Sequence, residues 1–157
     1  MSLFKVFDVS GSAMTAQSLR LNLTASNLAN AETMAASPEE AYKARQPVFA
    51  AALKQAQGAP GGEAGTPVQV KGVVESQAPT EALHMPGHPL ADANGYVYRS
   101  NVNPIEEMVN MISAQRSFQN NVEVMNTSKD LLLQTPRLGS SGARQWISRH
   151  YRPAASP

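Results

Sequence analysis

The chain contains a seven-residue repeat between residues 111 and 132, MISAQRSFQNNVEVMNTSKDLL, in which large apolar residues recur at every seventh position. The same repeat occurs near the start of the chain, between residues 7 and 28. Such a spacing is typical of helices that pair along an apolar seam. The sequence therefore predicts two helical ends that pack together. The predicted seam residues are Phe7, Met14, Leu21, Leu28, Met111, Phe118, Met125 and Leu132, reinforced by Met108, Ile112 and Val122.

Local signals set the expected limits of the two helices. The first helix is predicted from about Val6 to Asn30. The second begins after Asn103, which is a good N-cap, because Pro104 then takes the first helical position. The helical pattern persists to about Gln134, and Pro136 is expected to stop or bend the second helix, since proline lacks a backbone donor and clashes with the preceding turn.

The middle of the chain lacks the helical repeat and is rich in turn and strand signals. Residues 40–49 and 68–76 read as strands, with Gly72 as a possible bulge. The pair Asn94-Gly95 predicts a tight turn ahead of a further strand. The predicted fold class is therefore α+β, with long terminal helices enclosing a small β-rich unit. Four segments follow: an N-terminal helix at 1–33, a β-rich unit at 34–102 with a mobile loop at 55–67, a C-terminal helix at 103–136, and a basic extension at 137–157.

Uncharged polar residues cover the faces of the helices where a solvated helix would carry charge. Between residues 10 and 31 the first helix has a single charged side chain, Arg20. A solvated helix usually carries Lys and Glu opposite its apolar stripe. This surface therefore indicates either neighbouring chains or an ordinary helix with a polar outer side, and composition alone does not separate the two. Buried amides would set the register between chains at some cost in stability. The residues expected to bond to adjacent subunits are Asn27, Asn30, Asn110, Gln115, Gln119, Asn120 and Asn121.

Composition excludes several classes of protein. The net charge is only +1, so no global field draws the chain to nucleic acid or to anionic membrane. There is no cysteine, which removes disulfides and thiolate chemistry. Leu, Ile, Val and Phe make up about a fifth of the chain, which predicts a small core. No apolar run is long enough to span a membrane or to act as a cleavable signal peptide.

A metal or catalytic site is the sharpest alternative reading. His84, His88 and Asp92 are spaced by four, which on a helix would place them on one face. Pro86 and Gly87 rule out a regular helix there, so the spacing predicts two exposed loop histidines instead. No nucleophile elbow or phosphate-binding glycine loop is present. We therefore expect no enzyme activity, no cofactor and no metal.

The basic extension could bind an anionic partner. Arg137, Arg144, Arg149 and Arg152 are unopposed by any carboxylate, and aromatic residues lie among them. This is a weak signal for nucleic acid or lipid, and a solvated extension or a tail docked on neighbouring subunits explains it equally well.

The chain contains several separate short motifs: ASNLANA at residues 25–31, NGYV at 94–97, NVN at 101–103, EEMVNMI at 106–112 and RSFQNNV at 116–122. Together these motifs resemble those of bacterial flagellar rod and hook proteins, and especially of their proximal-rod members. The resemblance implies a structural subunit of the basal-body rod in the periplasm, which transmits torque. It also implies export through the flagellar type III apparatus without a cleaved signal. The implied partners are copies of itself, other proximal-rod and distal-rod proteins, and the ring-to-rod junction protein.

One alternative from another class stays open at this point. A cytoplasmic coiled-coil adaptor or export chaperone would share the paired helices, although not the β-rich insert.

Overall fold

A computed structural model describes the backbone of residues 3–52 and 65–150, and the side chains of residues 4–52 and 65–134. Two helices enclose five strands, which confirms the α+β fold class. The elements are α1 (Leu3–Ala29), β1 (Met34–Ala35), β2 (Arg45–Ala51), β3 (Val68–Glu75), β4 (Glu81–His84), β5 (Tyr96–Arg99) and α2 (Pro104–His150). Most of the expected mobile loop at 55–67 lies outside the described residues.

The two helices pack against each other in antiparallel orientation. The amide of Asn27, near the end of α1, lies 3.2 Å from a carboxylate oxygen of Glu107, near the start of α2. Further back along α1, Arg20 donates to Asn110, which lies further along α2. Residue numbers fall along α1 as they rise along α2, so the helices run in opposite directions, as expected for a compact insert that returns the chain.

Small and polar residues form the centre of the contact between the helices. On α1, Ser10 and Thr24 are buried, and on α2 Ala114 and Ser128 are buried. These four buried residues are also separated by multiples of seven positions within each helix. Each of them lies three positions after one predicted apolar seam residue and four positions before the next. Small side chains let two helices approach closely. The predicted seam residues Phe7, Met14, Leu21, Leu28, Met111, Phe118, Met125 and Leu132 are half-buried and flank this centre, as does Val122.

The start of α2 is as predicted, but its end is not. The Asn103 side-chain oxygen accepts from the backbone N–H of Ile105 at 3.1 Å and of Glu106 at 3.4 Å, which caps the first turn. The predicted end near residue 134 is wrong, because α2 continues through Pro136 to His150. A proline inside a helix removes one backbone hydrogen bond, and the turns on either side can keep theirs. The segment from 137 therefore begins as a continuation of the helix.

The β-rich unit consists of two small antiparallel sheets. One sheet pairs β2 with β3, and the other has the order β1-β5-β4. The predicted first strand begins too early, because β2 starts at Arg45. The backbone just before it is held instead by Asn101, whose side-chain oxygen accepts from the N–H of Ala44 at 2.8 Å. The register shift in β3 falls between Val70 and Gly72, next to the glycine expected at the bulge.

Asp92 organises the turn that was predicted at Asn94-Gly95. Its Oδ1 accepts from the backbone N–H of Asn94 at 2.8 Å and of Tyr96 at 2.9 Å. Gly95 has a φ of +80°, a conformation that suits glycine, and a Cβ there would lie 3.0 Å from the Cβ of Pro86. The His84 ring lies 5.0 Å from the ring of Tyr96, so this histidine packs on the turn.

The Asp92 turn is expected to loosen in acid. Hydrogen bonds hold the pKa of Asp92 below its ordinary 3.8. The largest contribution is from the Tyr96 N–H, followed by the Asn94 N–H, the Tyr98 hydroxyl and the Gly95 N–H, and together these outweigh the opposing effect of desolvation. A lowered pKa means that these bonds stabilise the fold above the unfolded pKa and are lost as the pH falls through the folded one. We expect the Tyr96 amide resonance to move toward its unfolded shift below about pH 4.

Asp92→Asn is the control for this titration. An asparagine oxygen still accepts the two backbone donors but does not titrate. The Tyr96 amide shift in Asp92→Asn should therefore stay constant across the same pH range. An equal acid shift in both proteins would show that another group is responsible.

Candidate assembly surface

Asn27 connects three parts of the molecule. It lies in the ASNLANA motif and is only 1% exposed. Its amide nitrogen donates to the carbonyl of Arg45 at 2.9 Å and to the Glu107 carboxylate. Its amide oxygen accepts from the Arg45 N–H at 2.9 Å and from the Tyr42 hydroxyl at 3.0 Å. One side chain therefore holds α1, the entry to β2 and the start of α2 together.

The burial of Asn27 changes the role expected for it. It was predicted to bond to an adjacent subunit, but its side chain is buried and its bonds lie within the chain. Its partners Glu107 and Tyr42 were not predicted from the sequence. In the sequence, Glu107 has the features of an ordinary carboxylate at the start of a helix. The one signal of its burial was its position seven residues before Ala114, which places the two residues on the same face of α2.

The other predicted polar contacts fall into two groups. The first group bonds within the chain: Asn30 donates to the Ser26 carbonyl, Asn121 donates to the Ser117 carbonyl, and Asn110 accepts from Arg20. The second group is exposed on α2 and comprises Gln115, Gln119 and Asn120. A contact between subunits stays a prediction for these residues.

A second apolar face lies on the side of α2 that points away from α1. Glu107 and Ala114 are buried against α1. Ile105 and Val109 lie two positions from Glu107, and Ile112 lies two positions from Ala114. At about 100° per residue, two positions reach the far side of the helix. We call this set the outward face; its members and exposed fractions are Ile105 70%, Met108 47%, Val109 62% and Ile112 55%.

The outward face cannot be covered by α1 of the same chain. Isolated apolar side chains at a surface are common, but four at spacings of three and four residues form a continuous helical stripe. Met108 and Ile112 were predicted as reinforcement of the helix pair, and their positions fit a contact with something outside that pair better. Ile105 and Val109 were not predicted at all.

A polar cleft of about 340 Å³ lies beside this stripe, between α1, β2 and α2. Arg20, Arg45, Glu106 and Asn110 are among the residues that line it. The cleft is open and polar, so it does not have the enclosed apolar character of a small-molecule site. Its position next to the outward face extends the surface that a neighbouring chain could cover.

The described residues contain no sign of a metal centre or a membrane span. Within the described side chains, no three His, Asp or Glu lie close enough to hold a metal ion. Neither helix, over the same part of the chain, combines the length and apolar character needed to cross a membrane.

Family models match both ends of the chain. Residues 7–34 match the model described as "Flagella basal body rod protein". Residues 93–138 match the model described as "Flagellar basal body rod FlgEFG protein C-terminal". These matches include most of α1 and the start of α2 with its outward face. Terminal helices that pair around a β-rich insert, with these two matches, define a flagellar axial protein.

Whole-length relatives identify the family more narrowly. The chain is 51% identical over 139 residues to the flagellar basal-body rod protein FlgC of Escherichia coli, which covers 88% of this chain and 99% of the relative. It is 50% identical to the Salmonella typhimurium FlgC and 33% identical to that of Bacillus subtilis, with the same coverage of each chain. The chain belongs to the FlgC family of flagellar basal-body rod proteins. It is therefore a structural subunit of the rod and not an enzyme, and the adaptor or chaperone alternative gains no support.

Proposed function

We propose that this subunit builds the proximal rod by packing the outward face of α2 against the terminal helices of neighbouring rod subunits. The single observation that supports this most strongly is the apolar stripe on the side of α2 opposite α1. Burying such side chains is worth roughly 1.5 to 3 kcal/mol each, which is enough to drive association of an ordered helix pair.

In this proposal, each segment of the chain forms a different part of the rod. Residues 1–33 and 103–136 form the inner wall of the rod, and residues 34–102 form a β-rich unit outside it. The exposed amides Gln115, Gln119 and Asn120 set the register between subunits, because an apolar surface alone would allow sliding. Fixed register is what a shaft needs in order to transmit torque.

The proposed partners follow from the family. They are further copies of this chain, other proximal-rod and distal-rod proteins, the ring-to-rod junction protein and the flagellar type III export apparatus. Rod proteins assemble with other rod components, and these proposed partners are consistent with a rod that crosses the periplasm.

A pair of charges placed on the outward face should prevent assembly. Val109→Asp with Ile112→Asp would bury two carboxylates in an apolar contact, which is strongly unfavourable. We expect the amount of the subunit in purified basal bodies to fall at least about tenfold, with loss of swimming. Quantitative blotting of basal-body fractions measures this directly.

Val74→Asp is the matched control, because Val74 is 52% exposed but lies on β3. Both proteins should keep the same circular dichroism spectrum when purified. Normal incorporation of the double variant would contradict the proposal. Equal loss in the Val74 variant would show that any surface charge is harmful.

A further inference from the structure

The hairpin formed by β2 and β3 is attached to α1 at two points. At one point, where β2 begins, the N–H and the carbonyl of Arg45 both bond to the Asn27 side chain at 2.9 Å. At the other, where β3 begins, the N–H of Val68 donates to the Ser12 hydroxyl at 3.0 Å. These points lie at opposite ends of the paired strands, because Val68 pairs with Ala51 at the far end of β2.

The two attachment points are about equally far apart on the hairpin and on the helix. Ser12 and Asn27 are 15 residues apart, which corresponds to about 22 Å of helix. Arg45 and Ala51 are six residues apart, which corresponds to about 20 Å of strand. Both strands of the hairpin contact α1. The hairpin therefore lies along α1 over the whole distance between the two points.

The side of α1 beneath the hairpin is apolar. At about 100° per residue, Ala16, Leu19 and Leu23 lie on the same side of the helix as Ser12. Ala16 is only 3% exposed, and both leucines are half-buried. The hairpin thus removes a row of apolar side chains from water, which stabilises the helix that carries them.

The side of α1 that contacts α2 is polar at its centre. Ser10, Gln17 and Thr24 recur there at seven-residue intervals, about a third of a turn away from the side beneath the hairpin. The side-chain oxygen Oε1 of Gln17 is buried, and no donor in the described part of the chain bonds to it. A buried acceptor without a partner costs free energy. The contact with α2 therefore stabilises α1 less than an apolar contact of the same length would.

The sequence of α1 does not favour a helix in isolation. Half of the residues from 10 to 27 are Gly, Ser, Thr or Asn. These residues have low helix propensity, because glycine is flexible and the short polar side chains compete for backbone hydrogen bonds. A helix of this composition depends on packing against other parts of the fold.

We infer that the β2–β3 hairpin is a splint, a support that keeps α1 helical from Ser12 to Asn27 before the subunit enters the rod. This role concerns the unassembled chain and does not depend on the outward face of α2. A helix that is ordered in advance does not lose its conformational entropy during assembly. The splint therefore supplies the rod with a preformed α1.

Hydrogen exchange of the purified full chain tests the splint, at a concentration where sedimentation shows a monomer. Ser12→Ala removes the acceptor of the Val68 N–H. Because alanine has a higher helix propensity than serine, local propensity alone would slow the exchange of α1 amides. We expect the opposite, with amides of residues 16–23 exchanging about fivefold faster than in the wild type. The direction of the change therefore separates the splint from local propensity.

Ser18→Ala is the matched control, because Ser18 is an exposed serine on the same helix. In this variant, amides of residues 16–23 should exchange as slowly as in the wild type or more slowly. A second variant, Asn101→Ala, loosens the hairpin without a change in α1. The Asn101 side chain bonds to the Ala44 N–H at 2.8 Å and to the Ala78 carbonyl at 2.7 Å, next to the start of β2. Its loss should also speed exchange of the same α1 amides.

Three results would overturn the splint. The first is that Ser12→Ala slows exchange in α1 as Ser18→Ala does, and the second is that α1 amides of the wild type exchange at unprotected rates. The third is an equal loss of protection in β5, because Ser12 would then support the whole fold rather than the hairpin contact. Incorporation of the outward-face variant into basal bodies is a separate measurement, so either proposal can fail while the other stands.

Discussion

Asn27→Ala is expected to lower the free energy of unfolding of the purified chain by about 3 to 5 kcal/mol. The substitution removes the partners of the Arg45 N–H and carbonyl, of the Tyr42 hydroxyl and of the Glu107 carboxylate. A buried polar group left without a partner costs about 1 to 3 kcal/mol, and here several lose one together. Urea unfolding followed by circular dichroism measures the change.

Asn30→Ala is the matched control for this measurement. Asn30 has the same side chain and follows three residues later, but it donates only to the Ser26 carbonyl of its own chain segment. Its removal should cost less than about 1 kcal/mol. Equal midpoints for the wild type and Asn27→Ala would show that the three elements are held together by other contacts.

Ala114→Leu is expected to destabilise the helix pair by about 2 to 3 kcal/mol. Ala114 is fully buried on the face of α2 that contacts α1. Leucine adds three carbons at a close approach of two helices, so the helices must separate or the side chain must adopt a strained rotamer. The separation would also lengthen the bond between Asn27 and Glu107, which lies two turns away.

Thermal unfolding of the purified protein tests the Ala114 prediction, with Ala25→Leu as its control. Ala25 is an exposed alanine on α1, and leucine is also a good helix former there. The control should melt within a few degrees of the wild type. If Ala114→Leu were as stable as the wild type, the contact between the helices would have space for a larger side chain. The distance between α1 and α2 would then not be determined by small residues.

Periodicity allowed the helices and their pairing to be predicted, because a seven-residue apolar repeat is a property of the sequence alone. The start of α2 followed from Asn103 and Pro104, whose capping chemistry is local. The predicted end of α2 near residue 134 was wrong. Pro136 was expected to stop or bend the helix, whereas a helix can continue through one missing donor.

The candidate site was less predictable than the fold. A repeat does not say which of its faces meets the partner helix, and the predicted seam residues flank the contact rather than fill it. Asn27 was found, but as a contact between subunits. Its burial depends on Tyr42 and Arg45, which reach it only after the chain has folded back.

The sequence by itself determined that two helical ends pair around a β-rich unit, and its motifs indicated a flagellar rod protein. Both follow from patterns within short segments. Tertiary structure alone decided that small residues lie between the helices, that Asn27 is buried, and that Ile105 and Val109 face outward. Those outcomes depend on how one helix is rotated against the other, and that rotation is set by packing across distant parts of the chain.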